Sequence, residues 1–224
     1  MKAMILAAGY GKRMMPLTEN LPKPLLKVGN ETLIERNINA LLKEGFNEII
    51  INVSYLGSMI KDHVLEMFPN INIYFSDEKI PLGTGGGVLN VIERLGVEPF
   101  LLINADIFHQ IKLKDIKKNV EIAHLVGVKN PDHNIGGDFC LDSDLVTISN
   151  KHANEYTWSG VSVINPIIFD GLAIEDAPFD IWKSILVGYI EKNMVTGQIS
   201  DSMWIDTGTI DRLELANKTY KDEN

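Results

Sequence analysis

A single cysteine, Cys140, stands in 224 residues, so the chain closes no internal disulfide and has too few thiolates for a cysteine-based zinc site. This is the thiol usage of a reducing compartment, and a cytoplasmic location is expected. Positive charge is scarce too. The 21 Lys and Arg against 30 Asp and Glu leave a net charge of -9, which excludes a basic, nucleic-acid-coating surface. Long apolar runs are missing, which excludes a membrane span, and the apolar start Met1 to Ala8 is too short for a secretory h-region before Lys12 and Arg13. His63, His109, His124, His133 and His152 show no metal-ligand spacing. Neither a Pro, Gly or Ser-rich linker nor an internal repeat breaks the chain.

What remains is the balance of a globular domain with a full core: 45% hydrophobic and 23% charged residues. Residues 1–224 are expected to form one domain, with about 1–110 as its first part and about 111–224 as a β-rich second part. The first part alternates apolar runs with helical spacing. Strands are expected at Lys2 to Ala8, Glu48 to Val53, Ile71 to Ser76 and Phe100 to Asn104; helices at Glu31 to Glu44, Leu56 to Phe68 and Gly87 to Leu95. Such alternation predicts an α/β fold: a Rossmann-like open, mixed but mainly parallel sheet with helices on both faces. The second part reads as closely spaced, hairpin-like strands around Ala123 to Lys129, Asp138 to Asp142, Leu145 to Asn150 and Thr157 to Asn165. Helices at Ile181 to Lys192 and Ile210 to Tyr220 complete the pattern.

Charge is unevenly placed. Residues 1–28 hold Lys2, Lys12, Arg13, Lys23 and Lys27 against Glu19 alone, so a small anionic ligand is expected there. The same region carries a long loop after the first strand, Leu6 to Leu26, LAAGYGKRMMPLTENLPKPLL. It is neither a dinucleotide fingerprint, because Met14 replaces the third glycine, nor a Walker A loop, because Arg13 follows Gly11-Lys12. Its glycines still let backbone N–H groups approach an anion, and Arg13 and Lys23 can hold phosphate oxygens. The Met14-Met15 pair reads as wall packing. A second glycine cluster, Leu82 to Val88 (LGTGGGV), excludes side chains where a helix begins. Asn104-Ala105-Asp106 follows the strand FLLIN, at the end of an α/β sheet where ligands lie, and Asp206 lies far along the chain in WIDTGT. Two such carboxylates suit a shared Mg²⁺, which accepts one or two carboxylates with substrate phosphates.

The stretch L-A-A-G-x-G-x-R-x-x-P-L-T-x-x-x-P-K-P-L, Leu6 to Leu25, resembles the signature of the sugar-1-phosphate nucleotidyltransferases. The resemblance implies that the loop around Ala8, Gly9 and Gly11 wraps the nucleotide phosphates, that Arg13 stabilises the departing pyrophosphate, and that Lys23 contacts phosphate near the sugar. It further implies that Thr84, Gly85, Gly86 and Gly87 pack on the base, with Asn104 on the nucleotide as well, and that Asp106 and Asp206 hold Mg²⁺. Asn130 to Leu141, NPDHNIGGDFCL, looks like the N-P-x-H-x-x-x-G-D-F-x-L stretch of the bacterial N-acetylmuramate-1-phosphate uridylyltransferases within that family, which singles out His133. Tyr156 to Ser162 resembles their T-F-S-G-I-S. Asp138, Trp158, Ser159 and Gly160 are then the sugar side, and Lys183 supplies the charge that the subgroup places where Asp180 stands here.

The expected substrates are an NTP and a sugar 1-phosphate, UTP with N-acetylmuramate 1-phosphate foremost, in cell-wall recycling. No nucleic acid, membrane or obligatory protein partner is expected. Gly83 departs from the subgroup's glutamate, and L-G-T-G-G-G also resembles guanylyltransferases acting on mannose or heptose phosphates, so GTP is the alternative. A nucleotide-sugar sensor without turnover is a further reading, disfavoured because Arg13, Lys23, Asp106 and Asp206 are all retained.

Overall fold

The computed structural model describes residues 1–223. Its strands are β1 (Ala3–Leu6), β2 (Lys27–Val28), β3 (Glu31–Thr32), β4 (Glu48–Val53), β5 (Asn72–Asp77), β6 (Phe100–Asn104), β7 (Ile107–His109), β8 (Ala123–Lys129), β9 (Cys140–Asp142), β10 (Leu145–Thr147), β11 (Tyr156–Ile164), β12 (Val195–Ile199) and β13 (Trp204–Asp206). Its α-helices are α1 (Leu33–Lys43), α2 (Gly57–Met67), α3 (Gly83–Leu89), α4 (Ile92–Leu95), α5 (Val187–Ile190) and α6 (Ile210–Glu223).

Nine strands form one sheet in the order β5-β4-β1-β6-β11-β8-β12-β10-β9. The first four pair in parallel. β11 then runs antiparallel to both β6 and β8, while β12 returns parallel to β8. The expected hairpins are realised at β9-β10, whereas the β8-β12 pairing is a crossover connection. The second half therefore extends the first half's sheet instead of building its own.

The central strands are apolar on both faces, as a sheet covered on both sides requires. Alternate residues enter two cores: Ala3, Ile5, Ile49, Ile51, Leu101 and Ile103 meet Ile34, Ile38 and Leu41 of α1 and Ile60 and Val64 of α2. Met4, Ile50, Phe100 and Leu102 meet Val88 and Leu89 of α3 and the Ile181–Ile190 segment on the opposite face. Thr32 starts α1 with a capping box: its hydroxyl accepts from Glu35 N–H and its own N–H donates to the Glu35 carboxylate.

Three expectations are corrected. The helix drawn at Gly87 begins at Gly83, so the glycines lie inside α3, and it breaks at Asn90 and Val91 before α4. The helix drawn at Ile181 to Lys192 opens as a π-helix over Trp182–Leu186 and becomes α only at Val187; Trp182, at its start, stacks on Trp158 at 5.6 Å. Of the methionine pair only Met14 packs, within a small third core formed with Leu26, Val28, Leu33, Phe108, Leu213 and Ala216, while Met15 is exposed. Among the described residues no helix is long and apolar enough to cross a membrane.

β7 and β13 pair separately as a two-stranded antiparallel ribbon, Asp206 opposite Ile107 and Trp204 opposite His109. His109 Nδ1 accepts the Ile111 N–H at 3.1 Å, and burial pushes its pKa down to about 4. Above pH 6.5 neither folded nor unfolded chain binds a proton there; between 6.5 and about 4 only the unfolded chain does. Stability is therefore expected to fall with pH through this window, by as much as about 2 kcal/mol at pH 5. His109→Asn, which keeps an acceptor for Ile111, is expected to flatten the difference between urea unfolding curves taken at pH 7.5 and pH 5.

Candidate active site

The C-terminal ends of β1, β4 and β6 share one edge of the sheet, as parallel strands must, and two adjoining cavities open there. The smaller, about 130 Å³, is lined by Leu6, Ala8, Gly9, Asn52, Glu78, Pro81, Gly83 and Thr84. Open space surrounds Gly9, where a Cβ would meet nothing within 4 Å, so its backbone is free to be approached. Asn52 organises the wall: it accepts from Ala7 N–H at 2.8 Å and donates to Glu78 Oε1 at 2.7 Å. Glu78 Oε2 accepts from Leu82 N–H at 2.8 Å. Burial raises the Glu78 pKa against these two hydrogen bonds.

The glycines of LGTGGGV serve close packing of the protein on itself. A Cβ on Gly85 would fall 2.2 Å from the Phe179 ring, on Gly86 2.9 Å from the Ala177 side chain, and on Gly87 2.6 Å from Asn52 Nδ2. Gly85, Gly86 and Gly87 are thus buried behind the cavity, and Gly83 and Thr84 are the residues of this stretch that line it. Gly83 has φ +77° with its missing Cβ 2.4 Å from the Phe179 carbonyl oxygen, so no L side chain fits there. Gly11 likewise answers to its own loop, at φ +65° with Thr18 and Lys23 against it.

The larger cavity, about 400 Å³, is lined by Arg13, Asn104, Asp106, His133, Asp138, Thr157, Trp158, Ser159, Gly160, Trp204 and Asp206, together with Ile107 and Asn134. It gathers most of the residues singled out from sequence. Asn104 lies here, beside Asp106 and under Gly160, instead of in the smaller cavity. Lys183 does not reach it: its side chain is exposed, and its N–H is taken by Asp180 Oδ1 at 2.9 Å. Asp180 accepts the Thr84 hydroxyl as well, so it anchors this helix start to α3, and the charge expected from Lys183 is absent from the cavity wall.

Two acids and their cations form the floor. Thr207 donates through both N–H and Oγ1 to the Asp106 carbonyl, at 3.0 and 2.8 Å, and so fixes the β13 end against the loop after β6. Asp106 Oδ2 receives Lys23, which is only 8% exposed. Asp206 Oδ2 receives Arg212 Nη1 at 3.0 Å and faces His133 Nε2 at 3.5 Å. Burial, and the Arg212 charge beside it, hold the His133 pKa below its ordinary 6.5. Gly208 sits where these groups meet: a Cβ there would lie 2.4 Å from Arg212, 2.8 Å from Asp206 Oδ1 and 3.1 Å from Arg13.

The wall opposite is polar and aromatic. Asp138 Oδ2 accepts the Trp158 N–H at 2.8 Å, while Asn134 donates to Thr157 and Asp138. Trp158 stacks on Trp182, and Trp204 Nε1 donates to the Ser159 carbonyl at 2.8 Å. Arg212, Asn52, Glu78 and Asn134 were not singled out from sequence. Asn52 had a usable signal, since it stands near the end of a parallel strand beside β1; Arg212 had none, being one charge in an ordinary helix.

The donor set fits a hard divalent cation that completes its shell with ligand oxygens. Each acid has one oxygen engaged by a cation and Oδ1 without a partner, and among the described residues no group of three or more His, Cys, Asp or Glu could form an all-protein cage.

A basic glycine loop with one carboxylate after a parallel strand and a second brought beside it by the β7-β13 ribbon is a site suited to nucleoside phosphates. Residues 2–128 match the family described as "Nucleotidyl transferase". The chain is 39% identical to the N-acetylmuramate alpha-1-phosphate uridylyltransferase of Neisseria meningitidis serogroup B, over 96% of both chains. It is 30% identical to the mannose-1-phosphate guanylyltransferase catalytic subunit beta of Xenopus tropicalis, over 93% of this chain and 61% of that one. In fold it is similar to HddC from Yersinia pseudotuberculosis complexed with GMP-PN, with TM-score 0.77 and 24% identity over 98% of this chain and 99% of that one. The protein belongs to the nucleotidyl transferase family.

Gly160 gives a direct check of the cavity. It has φ +78°, and a Cβ would lie 2.7 Å from Asn104 Nδ2. Gly160→Ala is expected to cost at least about 1–2 kcal/mol from the left-handed backbone alone, whereas Gly9→Ala, facing open space, is expected to stay within about 0.5 kcal/mol of the parent. Thermal or urea unfolding of the two variants reads the contrast.

Proposed function

We propose that the chain transfers a nucleotidyl group from an NTP to a sugar 1-phosphate, releasing pyrophosphate. The observation that carries this is the convergence of Arg13, Asp106 and Asp206 on one cleft, with Lys23 paired to Asp106 behind its wall, at the same sheet edge as the Gly9 cavity. The smaller cavity takes the base and the larger takes the sugar phosphate, with the α-phosphate between them. A sugar-phosphate dianion is already ionised at neutral pH, so no general base is required, and catalysis reduces to alignment and charge neutralisation. Gly9 offers backbone N–H beside the triphosphate, and Arg13 receives the charge that builds on pyrophosphate. Lys23, released from Asp106, turns to the α-phosphate. Asp106 and Asp206 would hold a magnesium ion, which would supply further neutralisation of phosphate charge. Trp158 and the Ser159-Gly160 backbone border the sugar.

UTP with N-acetylmuramate 1-phosphate is the substrate pair we favour, supported by the NPDHNIGGDFCL stretch lining the sugar side and by the whole-length likeness to the Neisseria enzyme. That pair gives the protein a place in cytoplasmic cell-wall recycling. Glu78 presents a carboxylate acceptor that suits a base with a ring N–H, which uracil and guanine both carry. A second reading, GTP with mannose or heptose 1-phosphate, is favoured by the LGTGGG stretch, which resembles that of guanylyltransferases, and by the likeness to the Xenopus guanylyltransferase subunit.

Pyrophosphate release with Mg²⁺, offering N-acetylmuramate 1-phosphate or mannose 1-phosphate against UTP, GTP, CTP and dTTP, tests both. Turnover confined to UTP and the amino sugar is the expected result; turnover only with GTP moves the chain to the second reading, and silence with every pair removes both. Arg13→Ala is expected to lower turnover about a hundred- to thousand-fold with the fold intact, measured in the same assay alongside thermal unfolding.

A further inference from the structure

Arg212 occupies a costly position. It lies in the first turn of α6, where the helix macrodipole is positive and disfavours a cation, and its side chain is only 13% exposed. It does not line the cleft. Its guanidinium is held at two points: Nε donates to Thr209 Oγ1 at 3.2 Å, and Nη1 meets Asp206 Oδ2 at 3.0 Å. Asp206 Oδ2 faces His133 as well, while Oδ1 lies over Gly208, 2.8 Å from where a Cβ would be. One carboxylate oxygen is therefore occupied and the other is left open.

We propose that Arg212 is the positioning residue of Asp206: it fixes the carboxylate through Oδ2 and so reserves Oδ1 as the metal-binding oxygen. The inference rests on the metal reading given above. It opposes the simpler view of Arg212 as a counter-charge, and the two differ in sign. A counter-charge competes with a divalent cation for the acid, so removing it tightens metal binding. A positioning group pre-orients the ligand oxygen, so removing it weakens binding, typically about 10- to 100-fold for the partners of metal ligands. Lysine cannot replace it, because one ammonium does not span Thr209 and Asp206 as the planar fork does.

The test is titration of the full chain with Mn²⁺ alone, following loss of the free Mn²⁺ electron-paramagnetic-resonance signal. Arg212→Gln is expected to weaken Mn²⁺ binding about tenfold or more, Arg212→Lys to fail to restore it, and Asp206→Asn to weaken it at least as much. Thr209→Val keeps the charge and removes only the Nε anchor; a smaller loss in the same direction is expected, and this variant decides the matter if Arg212→Gln does not fold. Binding by Arg212→Gln equal to or tighter than the parent, or unchanged binding by Thr209→Val when it alone folds, overturns the inference while leaving the metal reading standing. A parent chain that leaves the Mn²⁺ signal unaltered overturns both.

Discussion

The larger cavity depends on bringing two like-charged carboxylates, about a hundred residues apart in sequence, onto one floor. Repulsion and desolvation oppose that arrangement, and the fold answers with a cation for each acid and a backbone clamp between them. Lys23 comes from the N-terminal loop, Arg212 from the last helix, and Thr207 ties the two acidic turns through the Asp106 carbonyl. The β7-β13 ribbon sets the register of that clamp. Everything else in the larger cavity is arranged around this pair.

The two cores explain why such a floor is rigid. β1, β4 and β6 are packed on both faces, so the strand ends that carry Ala8, Asn52 and Asn104 have little freedom to shift. Each face has its own task. α1 and α2 cover one side, while α3 and the Ile181–Ile190 segment cover the other and press Phe179 into the space left by Gly83 and Gly85. The smaller cavity is thus shaped from behind by close packing, and Gly83 and Gly85 are the positions where that packing leaves no room for a side chain.

The alternating pattern made the parallel half legible because its strands are continuous apolar runs and its helices carry one apolar stripe. The same logic failed at α3, where glycines hide helical periodicity, and at Trp182–Leu186, where the extra residue of a π-turn has no local signature. β12 was missed because Val195–Ile199 alternates weakly and was overshadowed by the helix before it. Within the site, Arg13, Lys23, Asp106 and Asp206 were legible through motif spacing; the cleft brings Arg13 and the two acids together, and Lys23 joins them through Asp106. Lys183 was not, since its direction depends on how Asp180 anchors the helix start. Arg212 was invisible for the opposite reason: a charge in a helix carries no pattern, and only the tertiary partner gives it meaning.

The β7-β13 ribbon also orders events in time. The phosphate loop, the first acid and the parallel sheet that supports them leave the ribosome well before Trp204 to Arg212. A nascent chain can therefore close much of its smaller cavity while its second acid does not yet exist. The larger cavity is complete only when the last ribbon strand docks, so a chain clipped before Trp204 lacks both the second acid and the Thr207 clamp on the first.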